Sequence, residues 1–96
     1  GMTLYSTSKA ALNGMARGLA RDLGPRGITA NVVHPGPIDT DMNPADGPGA
    51  EFQRVATALG RYGTADEIAA TVLHLAGPGG RFITGASLAV DGGVNA

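Results

Sequence analysis

The sequence predicts an α/β chain whose two strands run parallel. Three observations predict it. Apolar residues recur at helical spacing over residues 3–23 and again from residue 64. Two short apolar stretches, 28–34 and 86–90, have strand composition and end in Pro-Gly and Asp-Gly-Gly. The second of the long helices lies between those stretches, and a helix bridging two strands implies a right-handed parallel crossover.

The elements come in order. Leu12, Met15, Ala16, Leu19, Ala20 and Leu23 make one apolar stripe on the first helix, and Gly24-Pro25 is its stop signal. Residues 28–34, Ile-Thr-Ala-Asn-Val-Val-His, read as a strand closed by Pro35-Gly36. Residues 37–49 are a loop dense in Pro, Gly, Asp and Asn. Residues 50–59 read as a short helix with Phe52, Val55, Ala56 and Leu59 on one face. Thr64 and Glu67 have capping-box spacing and open the next helix, whose stripe is Ile68, Val72, Leu75 and Ala76. Gly77-Pro78 ends it, and residues 86–90 form the second strand. Two parallel strands alone make a poor sheet, because such strands are normally flanked by others and covered on both faces. The expectation is therefore that these residues are the end of something larger.

Composition narrows the function. Of 96 residues, sixteen are Gly and six are Pro, together about twice the usual share. No Gly recurs at every third position, and 43% of residues are hydrophobic against 16% charged, so collagen and disorder are both excluded. A net charge of −1 with no Lys/Arg cluster gives no footprint for nucleic acid. No apolar run reaches the roughly 20 residues of a membrane span, and no signal-peptide pattern opens the chain. The expected location is cytoplasmic. With no Cys, thiolate chemistry and Cys-ligated zinc are out.

Six of the seven basic residues are Arg. The single lysine, Lys9, stands one helical turn after Tyr5. Both lie in line with Leu12, Ala16, Leu19 and Leu23, so Lys9 is expected on the extension of the apolar stripe, pointing inward. An inward lysine is costly unless a neighbour needs it. At an effective dielectric near 20, an ammonium about 4–5 Å from a phenolate favours the charged form by about 3–4 kcal/mol. That is the electrostatics of a tyrosine used for acid/base work. Alone, a Tyr-x-x-x-Lys spacing is a common coincidence, and helix-end lysines often reach into solvent. Its weight comes from the motifs downstream.

Tyr5-Ser-Thr-Ser-Lys9-Ala-Ala-Leu is succeeded by Asn31-Val-Val-His-Pro35-Gly36-Pro-Ile38-Asp-Thr40, then Ile83-Thr84-Gly85 and Val90-Asp91-Gly92-Gly93. This run resembles the C-terminal portion of a short-chain dehydrogenase/reductase (SDR), a single-domain Rossmann oxidoreductase. The likeness covers essentially the whole chain. The stretch from Pro35 to Pro48 is most similar to a bacterial subgroup of 3-oxoacyl-carrier-protein-reductase-like proteins and cyclic-di-GMP-binding mediators of biofilm dispersal.

The resemblance implies an α/β fold, the C-terminal part of a Rossmann-type doubly wound parallel sheet in the order helix, strand, lid, helix, strand. Residues 1–96 would be the catalytic and substrate-side portion of an NAD(P)-binding domain, with a lid at about 37–60 and the N-terminal dinucleotide-binding portion absent. It implies an oxidoreductase that reduces a carbonyl or oxidises an alcohol with NAD(P)(H), NADP(H) being favoured. Tyr5 would be the general acid/base. Lys9 would assist it and hold the nicotinamide ribose. Pro35 and Gly36 would line the nicotinamide, Ile38 would offer backbone contacts and Thr40 would bind the carboxamide. The implied partners are a small carbonyl or alcohol substrate and further copies of the subunit, as a dimer or tetramer. The alternative is a non-catalytic cyclic-di-GMP-binding protein on the same scaffold. The isolated 96 residues are expected to be inactive, because the catalytic serine and asparagine and the glycine-rich pyrophosphate turn of the family find no match here.

Other patterns fail on their own terms. Gly47-x-Gly49 and Gly77-x-Gly79 have Phe52 and Phe82 at the third glycine position, and neither leads from a strand into a helix. Asp39, Asp41 and Asn43 start a calcium-loop spacing that breaks at Pro44 and Ala50. His34 and His74 have no supporting ligands, so no metal is expected. Ala10, Gly14 and Gly18 form a ridge of small residues suited to close helix packing, either within the subunit or between subunits.

Overall fold

A computed structural model describes all residues, 1–96. The chain divides into two compact units, residues 1–33 with 75–88 and residues 34–74 with 89–96. The elements are α1 (Thr3–Leu23), β1 (Val32–Pro35), α2 (Ala50–Ala56), α3 (Ala65–Ala76) and β2 (Ser87–Val90). β1 and β2 pair in a two-stranded sheet. The Val32 N–H donates to Ala86 O at 2.9 Å and the Gly36 N–H to Val90 O at 3.1 Å, so both strands advance together, as parallel strands do. Each unit holds one half of each strand. No helix is long and apolar enough to cross a membrane.

In the first unit, α1 has the expected bounds. It stops at Leu23, before Gly24-Pro25, and the chain continues as a 3₁₀ turn over Gly24–Arg26, where Pro is tolerated because its missing N–H is not needed. The reversal is made one residue later by Gly27, whose φ of 71° is the left-handed conformation that favours glycine. Only Ala16 of the apolar stripe is buried; Met15 and Leu19 stay exposed. Gly14 and Gly18 have open space where a Cβ would stand.

The strand expected over residues 28–34 is shorter and shifted, to Val32–Pro35. Residues 30 and 31 hold the loop before β2 by one backbone bond, from the Gly85 N–H to Ala30 O at 2.7 Å, and by three bonds that use side chains. Asn31 donates from Nδ2 to Ile83 O at 2.9 Å and accepts the Ala86 N–H at Oδ1 at 3.0 Å. Thr84 Oγ1 accepts the Ala30 N–H at 3.1 Å.

In the second unit, the 37–49 loop is stapled to α2. Asn43 and Gln53 exchange two amide hydrogen bonds, at 2.9 and 3.1 Å, and Arg54 donates to Ala45 O at 3.1 Å. Asp39 Oδ1 accepts the Ala45 N–H at 2.8 Å, which gives this carboxylate a task within the loop. α2 ends at Ala56, and its expected apolar face is not a buried one: Phe52 is 81% exposed and Val55 and Leu59 are exposed too. The helix instead buries its first residue, Ala50, and the residue after its end, Thr57.

The capping box at the start of α3 is complete. Thr64 Oγ1 accepts the Glu67 N–H at 3.2 Å and Glu67 Oε1 accepts the Thr64 N–H at 3.0 Å. Arg61 adds a two-pronged bond to the same carboxylate, at 2.8 and 2.9 Å.

Candidate active site

The six sequence-predicted residues fall into two groups, one in each unit. Tyr5 and Lys9 belong to the first. One turn of α1 separates them, and Lys9 Nζ stands 5.4 Å from the centroid of the Tyr5 ring. An ammonium at that range is attracted to the negative face of the ring. Tyr5 is 57% exposed and Lys9 is exposed as well. The expectation of an inward-pointing lysine is therefore corrected. The stripe extends to Lys9 in angle, but nothing in the chain covers that end of the helix. Both side chains are open to solvent. Ser8 Oγ donates to Tyr5 O at 2.8 Å, a local bond from side chain to backbone within the first turns of the helix.

Pro35, Gly36, Ile38 and Thr40 belong to the second unit, at and after the carboxyl end of β1, where open α/β sheets take their ligands. Gly36 is a glycine by necessity. A Cβ there would come within 2.6 Å of the Asp91 backbone, so two main chains touch with no room for a side chain. Ile38 forms an isolated parallel bridge with Gly63. That bridge uses the Asp39 N–H, which donates to Gly63 O at 2.9 Å, and Pro37 O, which accepts the Gly63 N–H at 2.9 Å. The Ile38 N–H and C=O lie outside it, on the other side of the segment, as a backbone contact to a ligand requires. Thr40 is exposed; its Oγ1 accepts the Asn43 N–H at 3.3 Å, which leaves the hydroxyl proton to give.

An open cavity of about 400 Å³ lies in the second unit, lined by Ile38, Leu59, Arg61, Glu67, Gly92 and Gly93 among others. That is the size of a small-molecule site. The Arg61 guanidinium, then the Thr64 backbone N–H, holds the Glu67 carboxyl down at about 2, so this wall of the cavity carries a fixed ion pair. Sequence reasoning missed two contributors here. Thr57 is buried, and its Oγ donates to Arg54 O at 2.9 Å while accepting the Arg61 N–H at 3.1 Å. The turn Asp91–Gly92–Gly93 enters the sequence reading as a strand end and as part of the family resemblance, with no place in the site. Its paired glycines are the available signal, since two adjacent glycines mark close backbone approach or left-handed turns.

The chain is similar to known proteins over its whole length. Residues 1–95 match the family model described as enoyl-(acyl carrier protein) reductase. The chain is 56% identical over 96 residues to the cyclic-di-GMP-binding biofilm dispersal mediator protein of Escherichia coli, covering all of this chain and 40% of that one. It is 46% identical to a 3-oxoacyl-acyl-carrier-protein reductase of Pseudomonas aeruginosa, covering 98% of this chain and 38% of that one. Among solved structures, it matches a blue fluorescent protein from a metagenomic library in complex with NADPH at a TM-score of 0.95 and 66% identity, over 100% of this chain and 39% of the other. It also matches a short-chain dehydrogenase of Burkholderia cenocepacia in complex with NADP at a TM-score of 0.94 and 61% identity, with the same coverage. The chain thus spans about 40% of the length of the relatives it matches.

Proposed function

The chain belongs to the short-chain dehydrogenase/reductase family, and from that premise we propose that it is the catalytic and substrate-side part of a larger NAD(P)(H)-dependent oxidoreductase. The observation that carries the reading is the Tyr5/Lys9 pair, present in a chain that also keeps Pro35-Gly36 and the free peptide edge of Ile38.

The residues suit a nicotinamide. Gly36 gives a flat wall made of main chain, Ile38 offers an N–H and a C=O to an amide, and Thr40 has a hydroxyl proton to donate. When bound, the nicotinamide supplies or accepts the hydride. Tyr5 donates its hydroxyl proton to the carbonyl oxygen as the carbonyl carbon gains the hydride, so the C=O double bond becomes an alcohol. In the reverse direction the tyrosinate takes the alcohol proton. Lys9 stabilises the negative charge that passes through the tyrosine oxygen and offers the remaining N–H donors to a ribose. NADP(H) is favoured over NAD(H), supported by the NADPH and NADP in the two structural relatives. The adenosine half of the cofactor would be held by residues outside this chain. The whole protein would work as a dimer or tetramer.

The test is direct. The whole protein carrying this chain, supplied with NADPH and a panel of ketones and 3-oxoacyl thioesters, is expected to consume NADPH with at least one of them. A protein that binds NADPH and reduces none of the panel, and oxidises no matching alcohol, would contradict the reading.

A second reading is a binding protein for cyclic di-GMP. It is favoured by one observation, the 56% identity to a relative whose name states that activity. Tight cyclic-di-GMP binding by calorimetry, together with no turnover in the same panel, would favour it over the reductase.

A further inference from the structure

The geometry points to a positioning role for the turn Asp91–Gly92–Gly93: it sets the spacing between the Gly36 wall and the base of the 37–60 insertion, and so the width available to the carbonyl substrate. This deepens the proposed function and rests on it for the identity of the ligand. All the groups involved lie in the second unit.

On one side the turn meets the end of β1. The Gly36 N–H donates to Val90 O at 3.1 Å, and a Cβ on Gly36 would stand 2.6 Å from Asp91 Cα and from Asp91 O. On the other side it meets the end of the insertion. The Leu59 N–H donates to Gly92 O at 3.1 Å. A Cβ on Gly92 would lie 3.4 Å from Thr57 Cβ, and one on Gly93 would lie 2.7 Å from Ala58 Cβ. No side chain of the turn fills either contact, so backbone alone fixes both spacings. The turn cannot easily give way. Asp91 Oδ1 accepts the Gly93 N–H at 2.9 Å and Oδ2 accepts the Asn95 amide at 3.3 Å. Gly92 and Gly93 sit at φ of 64° and 83°, in the left-handed region.

The insertion base is equally firm. Thr57 is buried, and its hydroxyl closes the chain between Arg54 and Arg61 from inside. A displacement at Ala58 therefore moves the segment as a block. The cavity of about 400 Å³ opens beside the turn, with Ile38, Ala58 and Leu59 on its walls along with Asp91, Gly92 and Gly93. A shift near 1 Å in such a wall is enough to change productive binding by an order of magnitude or more.

The experiment uses the whole protein with Gly93→Ala, Ala58→Gly and the double variant. Gly93→Ala introduces two faults, a left-handed alanine and a collision with Ala58; Ala58→Gly relieves only the second. The expected result is a rise in KM for the carbonyl substrate on the order of tenfold in Gly93→Ala, with the NADP(H) dissociation constant little changed. In the double variant KM recovers while the melting temperature stays low. A merely structural role would move KM and melting together. Unchanged KM in Gly93→Ala, or a raised KM that the double variant fails to rescue, would overturn the proposal. If Gly93→Ala does not fold, Ala58→Val presses the same contact without backbone strain, and again a raised KM supports the proposal and an unchanged one overturns it. Hydrogen exchange separates this idea from the proposed function. The Leu59 amide should exchange faster in Gly93→Ala and recover in the double variant, whether or not the protein turns over. An inactive wild type refutes the function; an unaltered Leu59 amide refutes the positioning role.

Discussion

Tyr62 carries a hydroxyl that is buried without a hydrogen-bond partner, in a residue only 6% exposed. A buried donor left unpaired loses its water without compensation. Tyr62→Phe is therefore expected to leave stability unchanged or to raise it by about 1 kcal/mol, measured by chemical denaturation; a loss of stability would mean that the hydroxyl has a partner in solution. The neighbouring ion pair makes a pH prediction. The Arg61 guanidinium, then the Thr64 N–H, lowers the Glu67 carboxyl from 4.5 to about 2. A carboxyl depressed on folding adds stability that is present above its unfolded value and is lost as pH falls through its folded value. The melting temperature of the wild type should exceed that of Glu67→Gln at neutral pH, and the gap should close between pH 4.5 and about 2. The gap is small, because both side chains are about half exposed. A gap independent of pH would contradict the assignment. At this scale the sequence is readable where partners are close in the chain. Thr64 and Glu67 announce themselves by spacing. Arg61 does not, because its reach to Glu67 depends on how the intervening turn folds. The exposure of Lys9 escapes sequence reasoning for a related cause: a helical stripe gives direction, and only packing decides whether that direction is covered.

At the scale of elements, the long helices keep to their periodicity and their stop signals closely. The irregular parts do not. β1 begins four residues later than its composition suggests, because Asn31 spends its side chain on the loop before β2. Apolar character alone does not distinguish a ladder residue from one that bonds through its amide. Asn31→Ala would leave the Ile83 carbonyl and the Ala86 N–H without these bonds. The expected cost is about 1–3 kcal/mol, read from denaturation of the whole protein; a cost near zero would show that the two groups re-pair readily. The short helix of the insertion is visible in the sequence too, but its buried side is not. Ala50 and Thr57, at its two ends, replace the Phe52–Val55 face as the anchors.

The whole chain shows what its net charge of −1 conceals. The first unit holds Lys9, Arg17, Arg21, Arg26 and Arg81 against Asp22 alone, whereas the second holds seven of the eight acids and only Arg54 and Arg61. Chain order carries most of this segregation, with four bases and one acid in residues 1–33 and two bases and six acids in residues 34–74; the return of residues 75–88 adds Arg81 to the first unit. The chain also lacks a large, fully buried side chain, while Leu4, Met42, Phe52, Leu73 and Phe82 remain exposed. Expressed by itself, the 96-residue chain is expected to self-associate, through these side chains and through the outer edges of its two strands. Light scattering over a concentration series checks this, and a monodisperse monomer throughout would contradict it. The residues of the proposed function are legible because Tyr5, Lys9 and the Pro35–Thr40 run are local motifs. Groups that would hold the rest of the proposed cofactor are not, since this chain spans only about 40% of its relatives' length.

The central claim is that Tyr5 gives and takes the substrate proton. Its most direct test is Tyr5→Phe in the whole protein, with carbonyl-dependent NADPH consumption and NADPH binding measured on the same preparation. Removing a general acid should lower turnover by about 10²–10⁴-fold while binding of the nucleotide persists. Turnover equal to that of the wild type would contradict the account.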